Sequence, residues 1–277
     1  MSNQPTFSRR RFLQGLGLGA AAITVGAPAP QASALGPVLG TVLDYAAGVP
    51  SGAAVKAAGH LGAVRYVSGR RPGAEWMLGK PVLKREADDF AASGLAIASV
   101  YQFGKGDTAD WKGPATWHAH EAARYHFAAG GPTGRPIYAA IDDNPTRAQY
   151  VNQIRPYLTE FKQIMESQGL RLGVYGNYNV IDWASADGLG EFFWQHDWGS
   201  LGRIHPRTTI HQKAGYQRTV GGVLCDVNNV YAHDWGQWNA SGAGGAGGTV
   251  PGTAVGSLDA LAELLRNLSS LSAAMPK

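Results

Sequence analysis

Aspartates at positions 44, 142 and 226 each close an apolar run, and carboxyl groups so placed are the residues of this chain best suited to moving a proton. Aromatic and amide side chains accompany them at comparable strand ends: Tyr66, Gln102, Asp143, Tyr175, Trp194, Gln195, Gln212 and Asn228. Aromatic faces stack on pyranose rings, and amides and carboxylates bond hydroxyls, so the combination suits a sugar. Glycoside hydrolysis ordinarily takes two carboxyl groups, about 5 to 5.5 Å apart for retention and 6.5 to 9.5 Å for inversion. The expectation is Asp142 as general acid, with Asp44 or Asp226 as base or orienting group. Any one of these residues alone is equally an ordinary helix cap, since Asp and Asn favour that position after a strand. Their recurrence on strand after strand points to a shared site.

Such side chains need elements to bring them together. Apolar, β-rich runs cover 41–46, 63–67, 95–103, 136–142, 171–175, 191–196, 208–212 and 222–226. Helical patterns lie between them at 84–92, 117–128 and 146–167, the last with Tyr150, Ile154, Leu158 and Phe161 at spacings of three and four. Near-continuous apolar strands alternating with helices predict a parallel sheet covered on both faces. Eight of them predict a compact α/β fold of the TIM-type (β/α)8 class, whose C-terminal strand ends line one mouth.

The ends of the chain read differently. Ser8-Arg9-Arg10-Arg11-Phe12-Leu13-Gln14 is a twin-arginine pattern followed by a Gly/Ala-rich, weakly apolar stretch and the small-x-small site Ala32-Ser33-Ala34. Residues 1–34 are therefore expected to be a leader removed after Ala34, with the Tat translocase as export partner and a secreted or cell-envelope destination. A barrel is expected over 35–238. Residues 239–256 form a Gly/Ala/Ser/Thr linker, and 257–277 place Leu258, Leu261, Leu264, Leu265, Leu268 and Leu271 on one face of an amphipathic helix. That helix is expected to dock on its own chain or on a partner.

Composition excludes several functions. The chain of 277 residues is 44% hydrophobic and only 16% charged, which describes a folded globular protein. Three of its 24 basic side chains sit in the leader, and the remainder nearly balance the 20 acidic ones, so there is no electrostatic case for nucleic acid. The single Cys225 allows no internal disulfide. His118 and His120 lie two apart on a helix and point away from each other, no zinc or calcium motif is present, and GxSxG and phosphate-loop signatures are lacking. No metal and no cofactor are expected.

The runs LDYA, RYVSGR, IYAAIDDNPT, LGVYGNYNVI, FWQHDW and GGVLCDVNNVY resemble a bacterial glycoside-hydrolase-like family long catalogued as a domain of unknown function. More distantly they are similar to the family 25 lysozyme-type muramidases. The resemblance spans about 37–238 and implies a (β/α)8 barrel with a carbohydrate cleft acting on the cell wall; twin-arginine leaders occur among actinobacterial members. Two departures stand out. Family 25 muramidases carry Asp-x-Glu at the end of the fourth strand where this chain reads Ala140-Ile141-Asp142, and relatives often have an acid where this chain has Gln102. Two functions therefore stay open: hydrolysis of a cell-wall polysaccharide, or a barrel without catalytic activity that binds it.

Overall fold

The computed structural model describes residues 35–240. The expected leader and tail helix, and all of the linker beyond Ala240, lie outside these residues. The strands are β1 (Gly40–Asp44), β2 (Gly62–Tyr66), β3 (Ala96–Tyr101), β4 (Pro136–Ala140), β5 (Arg171–Gly176), β6 (Phe192–His196), β7 (Ile210–Val220) and β8 (Val223–Val230). They close into a barrel in that order. The helices are α1 (Gly52–Ala57), α2 (Lys84–Ala92), α3 (Ala115–Ala128), α4 (Arg147–Gln149), α5 (Arg155–Ser167) and α6 (Tyr178–Ala186), with a π turn at Tyr150–Ile154 joining α4 to α5. Sequence periodicity missed α1 and α6, which are short and are started by local caps. Ser51 Oγ accepts from Ala54 N at 3.2 Å and Asn177 Oδ1 from Val180 N at 2.9 Å.

The α/β class and the closed eight-stranded barrel agree with expectation, but eight repeated βα units are not present. Strands β1 to β7 run parallel to their neighbours, whereas β8 is antiparallel to both β7 and β1. The cause is the connection. A parallel return needs a crossover of a dozen or more residues, and β7 reaches β8 through Gly221-Gly222 alone. Both glycines have positive φ, 55° and 80°, as a two-residue hairpin turn requires. The β6–β7 link, 197–209, likewise forms no helix; it carries Gly199, Gly202 and Pro206 and no apolar period.

Alternation along each strand divides the core in two. Leu43, Ala63, Ile97, Ile137, Leu172 and Phe193 face outward and pack against Phe90, Ala119, Leu158, Phe161 and Ile181 of the helices. Val42, Val64, Val100, Tyr138, Trp194 and Ile210 fill the lumen. Gly173 occupies a lumen position on β5 because Tyr138 takes its space: an added Cβ would stand 2.7 Å from the ring. The Tyr138 hydroxyl is anchored on Trp235 O at 2.7 Å, so the ring has little room to yield. Gly173→Ala is expected to cost about 1–3 kcal/mol by overpacking. An unchanged urea midpoint would show that the ring swings aside instead.

Candidate active site

Strand parity decides which predicted residues meet. Two residues beyond the lumen positions Val42, Val64, Val100, Ala140 and Trp194 stand Asp44, Tyr66, Gln102, Asp142 and His196, and these project into the mouth of the barrel. With Tyr175, Trp194, Gln212 and Asp226 they line a cleft of about 710 Å³, within the range of small-molecule and saccharide sites. Asn228 lies just beneath and bonds to the lining. Eight residues of the expected site, together with Asn228, thus converge.

Two do not. Asp143 lies three residues past the end of β4, next to the cleft-lining Asp142, and Gln195 takes the outward parity of β6. Asp143 Oδ2 accepts from Trp111 Nε1 at 2.8 Å, tying the segment after β3 to the end of β4. Gln195 donates to Arg203 O at 2.7 Å and accepts from His205 N at 2.8 Å, bracing the β6–β7 link. Neither lines the cleft, in contrast to the expectation that both bind substrate, and the bonds each makes are to the protein itself. Arg65, next to the lumen residue Val64, shares this outward parity.

Asp44 is the centre of a hydrogen-bonded layer. Its Oδ2 accepts from Asn228 Nδ2 at 2.7 Å and from Gln212 Nε2 at 3.1 Å. Those amides are oriented in turn by Trp194 Nε1, which donates to Asn228 Oδ1 at 2.9 Å, and by the Tyr175 hydroxyl, which donates to Gln212 Oε1 at 2.6 Å. Asp44 Oδ1 has no protein partner among the described residues. Asp44 is buried and lies directly opposite Asp226 in the β1–β8 ladder. Burial, reinforced by the Asp226 charge, pushes its carboxyl up to about 7 against the two amide donors. Asp226 itself accepts from Gln217 Nε2 at 2.8 Å.

Asp142 is held otherwise. Its Oδ2 receives Gln102 Nε2 at 2.9 Å and the Lys105 ammonium at 2.7 Å. Tyr66 and Tyr175 stand among the acids: burial raises both phenols, and the charges of Asp44, Asp142 and Asp226 add to the effect on each. All three carboxylates therefore act on the same small volume.

Several lining residues escaped the sequence reading: Lys80, Lys105, Trp76, Trp198, His196 and Gln217. His196 was findable as the next lumen position after Trp194. Trp76 and Lys80 lie in the segment 67–83, which forms no helix or strand and so has no period to read. Trp76 and Trp198 are 59% and 53% exposed at the rim, a placement that suits sugar faces. Gln217 reaches the mouth through a bulge: the β7–β8 register jumps from Gln212↔Asn228 to Gln217↔Asp226, throwing 213–216 outward. Asp197 pins that bulge by accepting from Ala214 N at 2.9 Å and bonding His211 Nε2 at 2.6 Å.

Away from the mouth, His118 packs against Tyr101 and Tyr157 between α3 and α5, and Cys225 is buried on the outer face while Asp226 points inward.

The family described as "Rv2525c-like, glycoside hydrolase-like domain" matches residues 53–232. The chain is 52% identical over 228 residues to "Putative peptidoglycan hydrolase Rv2525c" of Mycobacterium tuberculosis strain H37Rv, covering 80% of this chain and 92% of that protein. Crystal structures of the Tat-secreted protein Rv2525c of that organism, one with L-tartrate and one with HEPES, superpose with a TM-score of 0.69 at 53% identity. Each covers 72% of this chain and 99% of the solved one.

Proposed function

Since the chain belongs to the Rv2525c-like, glycoside hydrolase-like domain family, we propose that it hydrolyses a cell-wall glycan of the peptidoglycan type by carboxylate acid/base chemistry. The observation that carries this reading is Asp44: a buried carboxyl raised to about 7, fixed through one oxygen, in a cleft it shares with Asp142. A group in that state holds a proton near neutral pH, which is what a general acid for a glycosidic oxygen needs. We therefore assign the acid role to Asp44 rather than to Asp142. The Asp44 proton resides on Oδ1, since Oδ2 is occupied by two amide donors. Asp142 is the second carboxylate, Asp226 reinforces the burial that keeps Asp44 protonated, and Tyr66, Gln102, Tyr175, Trp194 and Gln212 hold the sugar.

A second reading, a barrel that binds the same glycan without cutting it, is favoured by the occupation of Asp142. Its Oδ2 already bridges Gln102 and Lys105, and no Asp-x-Glu pair precedes it. Incubating the mature protein with purified peptidoglycan, and measuring new reducing ends alongside co-sedimentation, separates the two. New reducing ends establish hydrolysis, co-sedimentation without them establishes binding alone, and neither result overturns both.

The protein is exported by the twin-arginine route, as its own Arg9-Arg10-Arg11 leader and the Tat-secreted relative agree. Residues 1–34 are proposed as the leader, 35–238 as the hydrolase-like domain, 239–256 as a spacer and 257–277 as a docking helix. Replacing Arg9 and Arg10 together with Lys is expected to retain the protein inside the cell, because the guanidinium pair rather than charge is read. Fractionation and immunoblotting measure this, and undiminished export of the variant would assign the leader to another route.

A further inference from the structure

Two cations on one wall of the cleft have no ion-pair partner among the described residues, and Asp110 acts on both only from farther off. Lys80 is buried, its Nζ donates to Gln102 O and sits 4.3 Å over the Tyr66 ring, and no carboxylate among the described residues is within ion-pair distance of it. Two of its three N–H groups remain unassigned. Arg71, in the same segment 67–83 and also lining the cleft, is half-buried. Its guanidinium makes no hydrogen bond or ion pair among the described residues. The two lie close enough for the Arg71 charge to disfavour the Lys80 ammonium. The acid that acts most on Lys80 is Asp110, but its two oxygens are taken by the backbone N–H groups of Phe103 at 2.9 Å and Gly104 at 2.8 Å.

Of the other cations that line the cleft or are buried near it, Lys213 is exposed to water, and the rest are paired. Arg65 has Glu86 at 2.5 Å and Lys105 has Asp142 at 2.7 Å. Leaving an ammonium buried with one carbonyl, beside a guanidinium with no partner, is costly unless a ligand supplies the missing charge. A neutral hydroxyl does not do so, whereas an anion does, and the guanidinium fork is shaped for a planar one. Asp44, Asp142 and Asp226, which line the same cleft and act on Tyr66, repel a dianion more than a monoanion, which favours carboxylate over phosphate. We infer that Lys80 and Arg71 form an anion subsite that takes a carboxylate carried by the glycan, in the cleft they share with the three acids. The inference rests on the glycan reading above and narrows its substrate to acidic sugars.

Calorimetric titration of the folded protein with the disaccharide of N-acetylglucosamine and N-acetylmuramic acid, and with the same disaccharide amidated at its lactyl carboxyl, tests this. The free acid is expected to bind about tenfold more tightly than the amide, as one charge-assisted contact implies. Arg71→Gln and Lys80→Gln should each remove most of that difference while leaving the amide's affinity in place. Arg71→Gln touches no protein partner, so its result stands even where Lys80→Gln proves unstable. Equal binding of acid and amide, or variants that keep the difference, overturn the subsite and leave the glycan reading intact. Absence of binding by both sugars overturns the two together. Inorganic phosphate that binds Arg71-dependently and more tightly than the acid would show a small-anion site and likewise overturn the carboxylate proposal.

Discussion

Asp44→Asn is expected to lower glycan cleavage by about a hundredfold or more while making the protein more stable above neutral pH. The amide keeps the shape of the side chain, and its oxygen can accept the Asn228 and Gln212 donors that now meet on Asp44 Oδ2. What it removes is the proton. The stability gain follows from linkage. The folded-state pKa is about 7 against about 3.9 in the unfolded chain, so this carboxyl binds its proton more tightly when folded. Its favourable contribution is complete below about pH 4 and is lost as pH rises to about 7. The variant loses nothing over that window, so the two proteins should match at low pH and diverge above it, by on the order of 4 kcal/mol at pH 8. Cleavage by the parent protein should fall as pH rises through about 7, where the donor ionises. Thermal melts across pH and a reducing-end assay measure both effects. Retained cleavage in the variant would remove Asp44 from the acid role, and an unchanged pH–stability curve would deny the raised pKa. If the barrel only binds glycan, the stability effect remains and there is no cleavage to lose.

The convergence of the site residues from β1 to β7 was legible in the sequence because it depends on one regularity, that the C-terminal ends of parallel strands share a mouth, whereas Asp226 and Asn228 reach it from the antiparallel β8. A second regularity sorts neighbouring residues. Asp142 and Asp143, or Trp194 and Gln195, are adjacent, and adjacent residues on a strand face opposite ways. Counting by twos from Ala140 or Trp194 keeps Asp142 and His196 and rejects Asp143 and Gln195. Lys80, Arg71 and Trp76 lay beyond any such rule, because the segment 67–83 is placed by tertiary bonds. Gly79 N donates to Ala46 O and Val82 N to Tyr66 O, contacts across the chain that no local period encodes.

The fold shows the same division. Strands β1 to β6 carry apolar runs that need no partner to be recognised. The closing pair was misread as a parallel repeat although Val220-Gly221-Gly222-Val223 is a hairpin signal by composition. The consequence reaches the site. An antiparallel β8 sets Asp226 directly opposite Asp44. That pairing is one of the causes that hold a proton on Asp44.

Arg65→Met is expected to be the most damaging single substitution for stability, at about 3–5 kcal/mol, a fall in Tm on the order of 10 °C for a domain of this size. Arg65 is fully buried on the outer face of β2, with Nε on Glu86 Oε1 at 2.5 Å and two further donations to Tyr45 O and Gly79 O. The Tyr45 hydroxyl also donates to Glu86 at 2.9 Å, and the guanidinium lies 3.9 Å over the Tyr45 ring. Removing the cation strands a buried carboxylate and two carbonyls, whereas removing both charges strands much less. The double variant Arg65→Met with Glu86→Leu should therefore recover a large part of the loss. A double variant as unstable as the single would place the cost in the two carbonyls rather than the charge. A single variant within about 1 kcal/mol of the parent would mean that water enters and replaces the guanidinium. The effect should also extend to the site. Gly79 precedes Lys80, and Tyr45 follows Asp44, so Arg65 clamps together the segments that carry the acid and the cation wall. Ligand affinity measured well below the melting temperature should fall for Arg65→Met even where the protein is still folded, because its arms meet the two segments that the cleft requires to stay in register.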